Sequence, residues 1–159
     1  MSWRGSTSPS DRIFASLPYL LPMAAALPYG VQLLEQLGLT AIVQLLAPVM
    51  FLNSGFIGLA VFIALFALVV NNPNISHFIR FNVFQSLLVG IILSLLSLVL
   101  PLLIKMFIFL PGIDVINQTL SNTLFLGVFA LGIYGIVQSL LGRYAEVPTI
   151  SEVVYSQLR

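Results

Sequence analysis

The stretch Ile75-Ser76-His77-Phe78-Ile79-Arg80-Phe81-Asn82-Val83-Phe84-Gln85 holds the only histidine of the chain and its only arginine between residues 13 and 142. No Lys, Arg, Asp or Glu occurs between Glu35 and Arg80, or between Arg80 and Lys105. His77 and Arg80 therefore form a polar island between two long apolar runs, the pattern expected where a chain meets a membrane surface.

Composition sets the class. Of the 159 residues 59% are hydrophobic and 7% charged, whereas a soluble domain carries about a quarter charged residues. A water-soluble fold is excluded. The apolar runs are continuous, without the two-residue alternation of a membrane β-barrel, so the chain is read as an all-α polytopic membrane protein. At roughly 20 residues per crossing, one domain over 1–159 has room for four transmembrane helices, placed at about 13–34, 49–70, 83–104 and 119–141.

The first span contains Pro18, Pro22 and Pro28. Each proline lacks an N–H and clashes with the carbonyl four residues back, so this span is expected to be kinked. The carbonyls it frees need donors from neighbouring helices or water, which makes the span either a cavity wall or a bend that suits packing. Ser10 or Asp11 is expected to cap its start, after a tail of about ten residues. Ala24-Ala25-Ala26 satisfies the small-residue rule for signal cleavage, but the prolines interrupt the smooth apolar core of a signal peptide. With no Arg- and Ser-rich transit peptide either, the chain is expected to be bacterial or made inside its organelle.

After Glu35, Gln36 and Gly38 the run Leu39 to Pro48 is only ten residues long, too short to cross. Residues 36–48 are read as an interfacial or re-entrant segment before span two, with Pro48 in the first turn of the next helix; full insertion would raise the count to five. Asn71-Asn72-Pro73-Asn74 ends span two. A helix is then expected from Ser76, with Phe78, Phe81 and Phe84 on roughly one face.

Within span three Ser86, Gly90 and Ser94 recur every four residues, followed by Ser97. Small residues in a row let membrane helices approach closely, so this stripe is a contact face, inside the subunit or between copies of a homo-oligomer. Residues Lys105 to Gln118 read as a short loop on the opposite side. On span four Gly127, Tyr134 and Gln138 share a face, expected to meet span three, and Gly135 with Ser139 supplies a second small pair. At the end, Thr149-Ile150-Ser151-Glu152 fits a capping box. It predicts a short helix at about 150–158, lying on the membrane surface with Ile150, Val153, Val154 and Leu158 on one side.

With four spans, Arg4, Arg12, Arg80, Arg143 and Arg159 fall on one side and Lys105 on the other. Five against one by the positive-inside rule places both termini and the Ile75–Gln85 stretch on the cytoplasmic side, or the stroma-equivalent side of a plastid.

Little in the sequence supports chemistry. The net charge is +1 and the six cations are scattered, so nucleic acid is not a partner. There is no cysteine and one histidine, which leaves no thiolate and no His-based metal cage; no cofactor or metal is expected. All five carboxylates, Asp11, Glu35, Asp114, Glu146 and Glu152, lie in tails or loops, so no catalytic residue is assigned. His77 reads as an interfacial anchor or the hydrogen-bonding partner of a loop, or else as a proton-linked or ligand group. Arg80 reads as a snorkelling anchor or as the binder of a partner's carboxylate. Asn82 and Gln85 continue a polar seam inward.

Asp11-Arg12 with Leu17-Pro18-Tyr19-Leu20-Leu21-Pro22, then Ile75-Ser76-His77-Phe78-Ile79-Arg80-Phe81-Asn82 with Gln85, then Gly142-Arg143 with Val147-Pro148-Thr149-Ile150-Ser151, together resemble the twenty-kilodalton subunit family of the translocon at the inner envelope of chloroplasts and its cyanobacterial homologues. The His-Phe-Ile-Arg-Phe-Asn segment is the most specific part. The resemblance implies four membrane helices with both termini stromal, and a non-catalytic subunit of a preprotein-conducting complex that acts in protein translocation or membrane-protein assembly. Its partners would be the lipid bilayer, other membrane subunits and a transiting polypeptide. Without the transit extension of nucleus-encoded members, the chain looks like a cyanobacterial or plastid-encoded relative. It would then sit in a cyanobacterial membrane or the plastid inner envelope. On the residues, Ser76, His77, Arg80, Asn82, Gln85 and Arg143 are the interaction candidates. A structural subunit of a larger photosynthetic or membrane complex, and a small-solute carrier component, are the competing readings.

Overall fold

The computed structural model describes residues 7–158. Arg4 and Arg159, both counted toward the orientation, and the first six residues of the expected tail lie outside the described residues.

The described residues form helices and no strand. Helix α1 (Pro9–Ser16) leads through a 3-10 turn at Leu17–Tyr19 into α2 (Leu20–Gln36). The start differs from expectation: Ser8 is the cap. Its hydroxyl accepts from the Asp11 N–H, and the Asp11 carboxylate accepts from the Ser8 N–H at 3.2 Å. Pro9 explains the shift, since a proline sits readily at the first helical position. Pro18 occupies the 3-10 turn, and Pro28 lies inside α2.

Helices α3 (Ala41–Leu52) and α4 (Gly55–Ala64), with a π-helical end at Leu65–Val70, follow. The two are bent by 76° at Asn53–Ser54. Pro48 therefore lies inside α3, not in the first turn of the helix after it. The break falls instead where Ser54 turns extended, Gly55 takes φ +46 and the Asn53 amide donates to Leu21 O at 2.9 Å, tying the bend to α2. Glycine reaches that φ without the clash a Cβ would bring.

Helix α5 (His77–Met106) starts at Ser76, whose hydroxyl accepts from the Ile79 N–H. Helix α6 (Ile113–Leu140) begins earlier than expected, because Gly112 at φ +82 turns the chain sharply; the loop between them is 107–112. Helix α7 (Ile150–Gln157) closes the described chain. The composite Pro9–Gln36, α5 and α6 are long and apolar enough to cross a bilayer. The bent α3–α4 pair makes up to four if it is one broken crossing.

Two apolar cores hold these elements. Met23, Ala26, Leu27, Leu46, Val89 and Phe125 form one among α2, α3, α5 and α6. Val70, Phe81, Val83, Phe84, Val154 and Leu158 form the other, which joins α5 to the end of α4 and to α7. The small pair Gly135–Ser139 is buried: a Cβ on Gly135 would strike the Tyr19 ring, and one on Gly132 would strike Met23. The close helix contact of α6 is therefore with the first helix. Gly127 and Tyr134 are exposed and Gln138 is half-buried, with nothing within 4 Å of a Cβ on Gly127.

The stripe on α5 likewise packs only at its start. Ser86 is buried, Ser94 is exposed, and nothing approaches a Cβ on Gly90. These residues border an open groove of about 340 Å³, faced by Leu21, Asn53 and Gly58.

Candidate functional site: a saturated polar knot beneath the C-terminal helix

Asn82 and Gln85 stand three residues apart, on neighbouring positions of one α5 face. Both are at most 1% exposed. Amides buried this deeply are costly unless bonded, and their partners come from four other parts of the chain. The Tyr19 hydroxyl, in the 3-10 turn between α1 and α2, donates to Asn82 Oδ1 at 3.1 Å. Ser139 of α6 donates to the same oxygen at 3.1 Å. Asn82 Nδ2 donates back to Phe78 O at 2.9 Å.

Gln85 completes the circuit. Its Nε2 donates to the Tyr19 hydroxyl at 3.1 Å and to the Ala145 carbonyl. Its Oε1 accepts from the Ser151 hydroxyl at 2.8 Å, and Ser151 Oγ accepts from the Val147 N–H at 2.7 Å. Donors and acceptors alternate without conflict: the Tyr19 and Ser151 hydroxyls each give one hydrogen and take another, Ser139 gives one, and both amide hydrogens of Gln85 are used. Among the described residues no buried side-chain nitrogen or oxygen lacks a partner. The knot ties α1–α2, α5, α6 and α7 at one end of the bundle.

An aromatic layer covers it. Tyr144 meets Phe81 edge-on at 5.0 Å and Phe78 at 5.4 Å between ring centroids, and Tyr155 lies 4.8 Å from Phe81. His77 is exposed at the rim; its Nδ1 stands 3.1 Å from the Tyr144 hydroxyl, and its ring lies nearly parallel to Tyr155 at 6.5 Å. Arg80 Nε donates to Val70 O at 2.7 Å. A cation there satisfies a carbonyl left over at a helix C-terminus and suits the helix dipole.

Of the sequence candidates, Asn82 and Gln85 enter the knot and His77 and Arg80 its rim. Ser76 serves as the cap of α5, and Arg143 is exposed on the loop after α6. Tyr19, Ser139, Ser151, Tyr144 and Tyr155 were not singled out as partners of these amides. Only Tyr19, which follows Pro18 within apolar sequence, carries a local signal.

The capping box expected at Thr149 does not form. Thr149 has φ +70 and ψ −52 and makes no side-chain cap. The Ile150 N–H donates to Pro148 O at 2.8 Å, which makes Thr149 the centre of the rare γ-turn with positive φ. For a β-branched residue this conformation is strained by about 1–3 kcal/mol. Helix α7 forms, yet its Val154 and Leu158 are buried against α5, with Val153 left exposed. Burying the apolar side of so short a helix against the bundle is what holds it helical.

Among the described residues no three of His, Asp and Glu gather as metal ligands would.

The family model described as the Tic20-like chloroplast import apparatus matches residues 8–154. A Tic20 family protein of Synechocystis sp. is 43% identical over all of this chain and 99% of its own length. The chloroplastic protein TIC 20-v of Arabidopsis thaliana is 31% identical over 96% of this chain and 73% of its own. The Tic20 family protein Ycf60 of Porphyra purpurea is 29% identical over 94% of this chain and 76% of its own. Apolar helices of crossing length and a family match over almost the whole chain lead to one statement: the chain belongs to the Tic20-like family of the chloroplast import apparatus.

Proposed function

We propose that this chain is a non-catalytic integral membrane subunit that works with other membrane subunits in protein translocation or membrane-protein assembly, in contact with a transiting polypeptide. It crosses the membrane four times, α3 and α4 together making the second, broken crossing. Both termini and the Ile75–Gln85 stretch face the cytoplasm or stroma.

The observation that carries the reading is the saturated knot within a Tic20-like chain. Among the described residues every buried side-chain nitrogen and oxygen has a hydrogen-bond partner, and those of Tyr19, Asn82, Gln85, Ser139 and Ser151 join different helices, which supports a structural use of the interior polar groups. A coupled carrier ordinarily keeps an ionisable residue inside the membrane. Length supports the placement. Helix α5 has 30 residues, about 45 Å at 1.5 Å per residue, against a hydrocarbon core of about 30 Å. With Lys105 held at the far surface, the turn carrying Asn82 and Gln85 reaches the near interface. The exposed apolar sides of α4 and of the far halves of α5 and α6 are left for lipid and partner helices.

A photo-crosslinking residue placed at Gly90, which borders the open groove, tests this in native membranes. Adducts with an arrested precursor polypeptide and with membrane subunits are expected. Lipid adducts alone, together with solute uptake by the purified chain in liposomes, would overturn the reading in favour of a carrier.

A further inference from the structure

We propose that residues 144–158 form a loaded strap that undocks as a unit and uncovers the amide of Gln85 while the long helices stay packed.

The strap leaves α6 at Gly142, which has φ +72, a natural pivot. Its two arms meet at one side chain: the Ala145 carbonyl accepts from Gln85 Nε2, and the Ser151 hydroxyl donates to Gln85 Oε1. Between the arms sits the strained turn at Thr149. A turn of this kind persists only where its flanks are held. Here they are held by Ala145 and Val154, both 0% exposed, and by Leu158. Because both arms rest on Gln85, losing one weakens the other, so release is cooperative. Strain at Thr149 pushes toward release; burial of Val154 and Leu158, the contacts of the Tyr144 and Tyr155 rings with Phe78, Phe81 and His77, and the bond from the Tyr134 hydroxyl to Glu146 O oppose it. The remaining knot, Tyr19 with Asn82 and Ser139, contains no strap atom and holds α1–α2, α5 and α6 together when the strap leaves. The inference stands on this geometry and does not depend on the translocation reading.

The chain has no cysteine, so a single introduced thiol reports one site. The full chain in lipid nanodiscs would carry either Val154→Cys on the strap or Ala15→Cys, a residue 0% exposed in α1, which also joins the knotted end. Labelling with a small water-soluble maleimide is timed for each. Adding Ser151→Ala is expected to speed labelling at Val154→Cys about fivefold. Adding Thr149→Gly is expected to slow it about threefold, the relief of strain exceeding the added flexibility of glycine. Ala15→Cys should change by less than about twofold in both backgrounds, its packing being independent of the strap. Acceleration of Ala15→Cys together with Val154→Cys would overturn the proposal, because the bundle would then open as a whole. An unchanged Val154→Cys rate on Thr149→Gly would also overturn it, because the turn would carry no load. Should Ser151→Ala fail to yield folded chain, the Thr149→Gly arm decides alone.

Discussion

The two ends of this helical bundle are built on different physics. At the knotted end five side chains, Tyr19, Asn82, Gln85, Ser139 and Ser151, exchange directional hydrogen bonds beneath aromatic rings, and helices meet at Gly132 and Gly135 with no room for a Cβ. Toward the other end α5 and α6 run on past one another with exposed leucine, isoleucine and phenylalanine, and a Cβ on Gly90 or Gly127, further along these helices than the knot, would meet nothing within 4 Å. In lipid, apolar surface gives helices no reason to associate with each other. Close packing and hydrogen bonds must do it; the inter-helix hydrogen bonds gather at one end, and close packing extends from there into the middle of the bundle, where a Cβ on Gly30 would strike the Phe125 ring. The knot and the packed middle fix the arrangement, and the far apolar surface stays exposed.

Substitutions at the two ends should separate accordingly. Gln85→Ala is expected to have the largest effect, about 3 kcal/mol, since it abandons the Ser151 hydroxyl, the Ala145 carbonyl and the Tyr19 hydroxyl at once; chemical unfolding in detergent would measure it, and C-terminal proteolysis should rise in parallel. Gly135→Val forces a side chain into the Tyr19 ring and should cost about 2 kcal/mol by overpacking, read as a lower melting temperature. Asn53→Ala removes the bonds to Leu21 O and Val49 O that hold the α3–α4 bend. It should cost about 1 kcal/mol and broaden the spin-label distance distribution between α2 and α4, leaving the knot intact. Gly90→Ala should cost nothing and gain about 0.5 kcal/mol through helix propensity. A loss at Gly90 as large as at Gly135 would erase the distinction between the ends.

Much of this was legible in the linear chain. Continuous apolar runs of crossing length and isolated cations announce membrane helices because burying an unbonded backbone in lipid is prohibitive, and that constraint acts on local sequence. The helix start at Ser76 followed from the same local logic. The Ser-Gly-Ser stripe was equally visible, but which small residues are pressed against a neighbour depends on helix rotation, and rotation put Gly132, Gly135 and Ser139 inward and Gly127 outward. The break at Asn53 was hidden for a related reason: Pro48 is the stronger local punctuation, and the bend is held by a carbonyl on another helix, at Leu21.

Composition and periodicity thus sufficed for the class of fold and the polar island at residues 75–85, since each rests on contacts with solvent or lipid that a residue makes through its own chemistry; the family resemblance rested on the motif residues, the His-Phe-Ile-Arg-Phe-Asn segment above all. The partners of Asn82 and Gln85 did not follow from them. Tyr19 lies 66 positions from Gln85, and Ser151 lies 66 positions away on the other side, so only folding brings the three together. The same holds for Thr149, whose sequence asks for a helix cap. Its positive-φ turn lies between two groups bonded to Gln85, the Ala145 carbonyl before it and the Ser151 hydroxyl after it, a long-range setting that the local sequence does not carry.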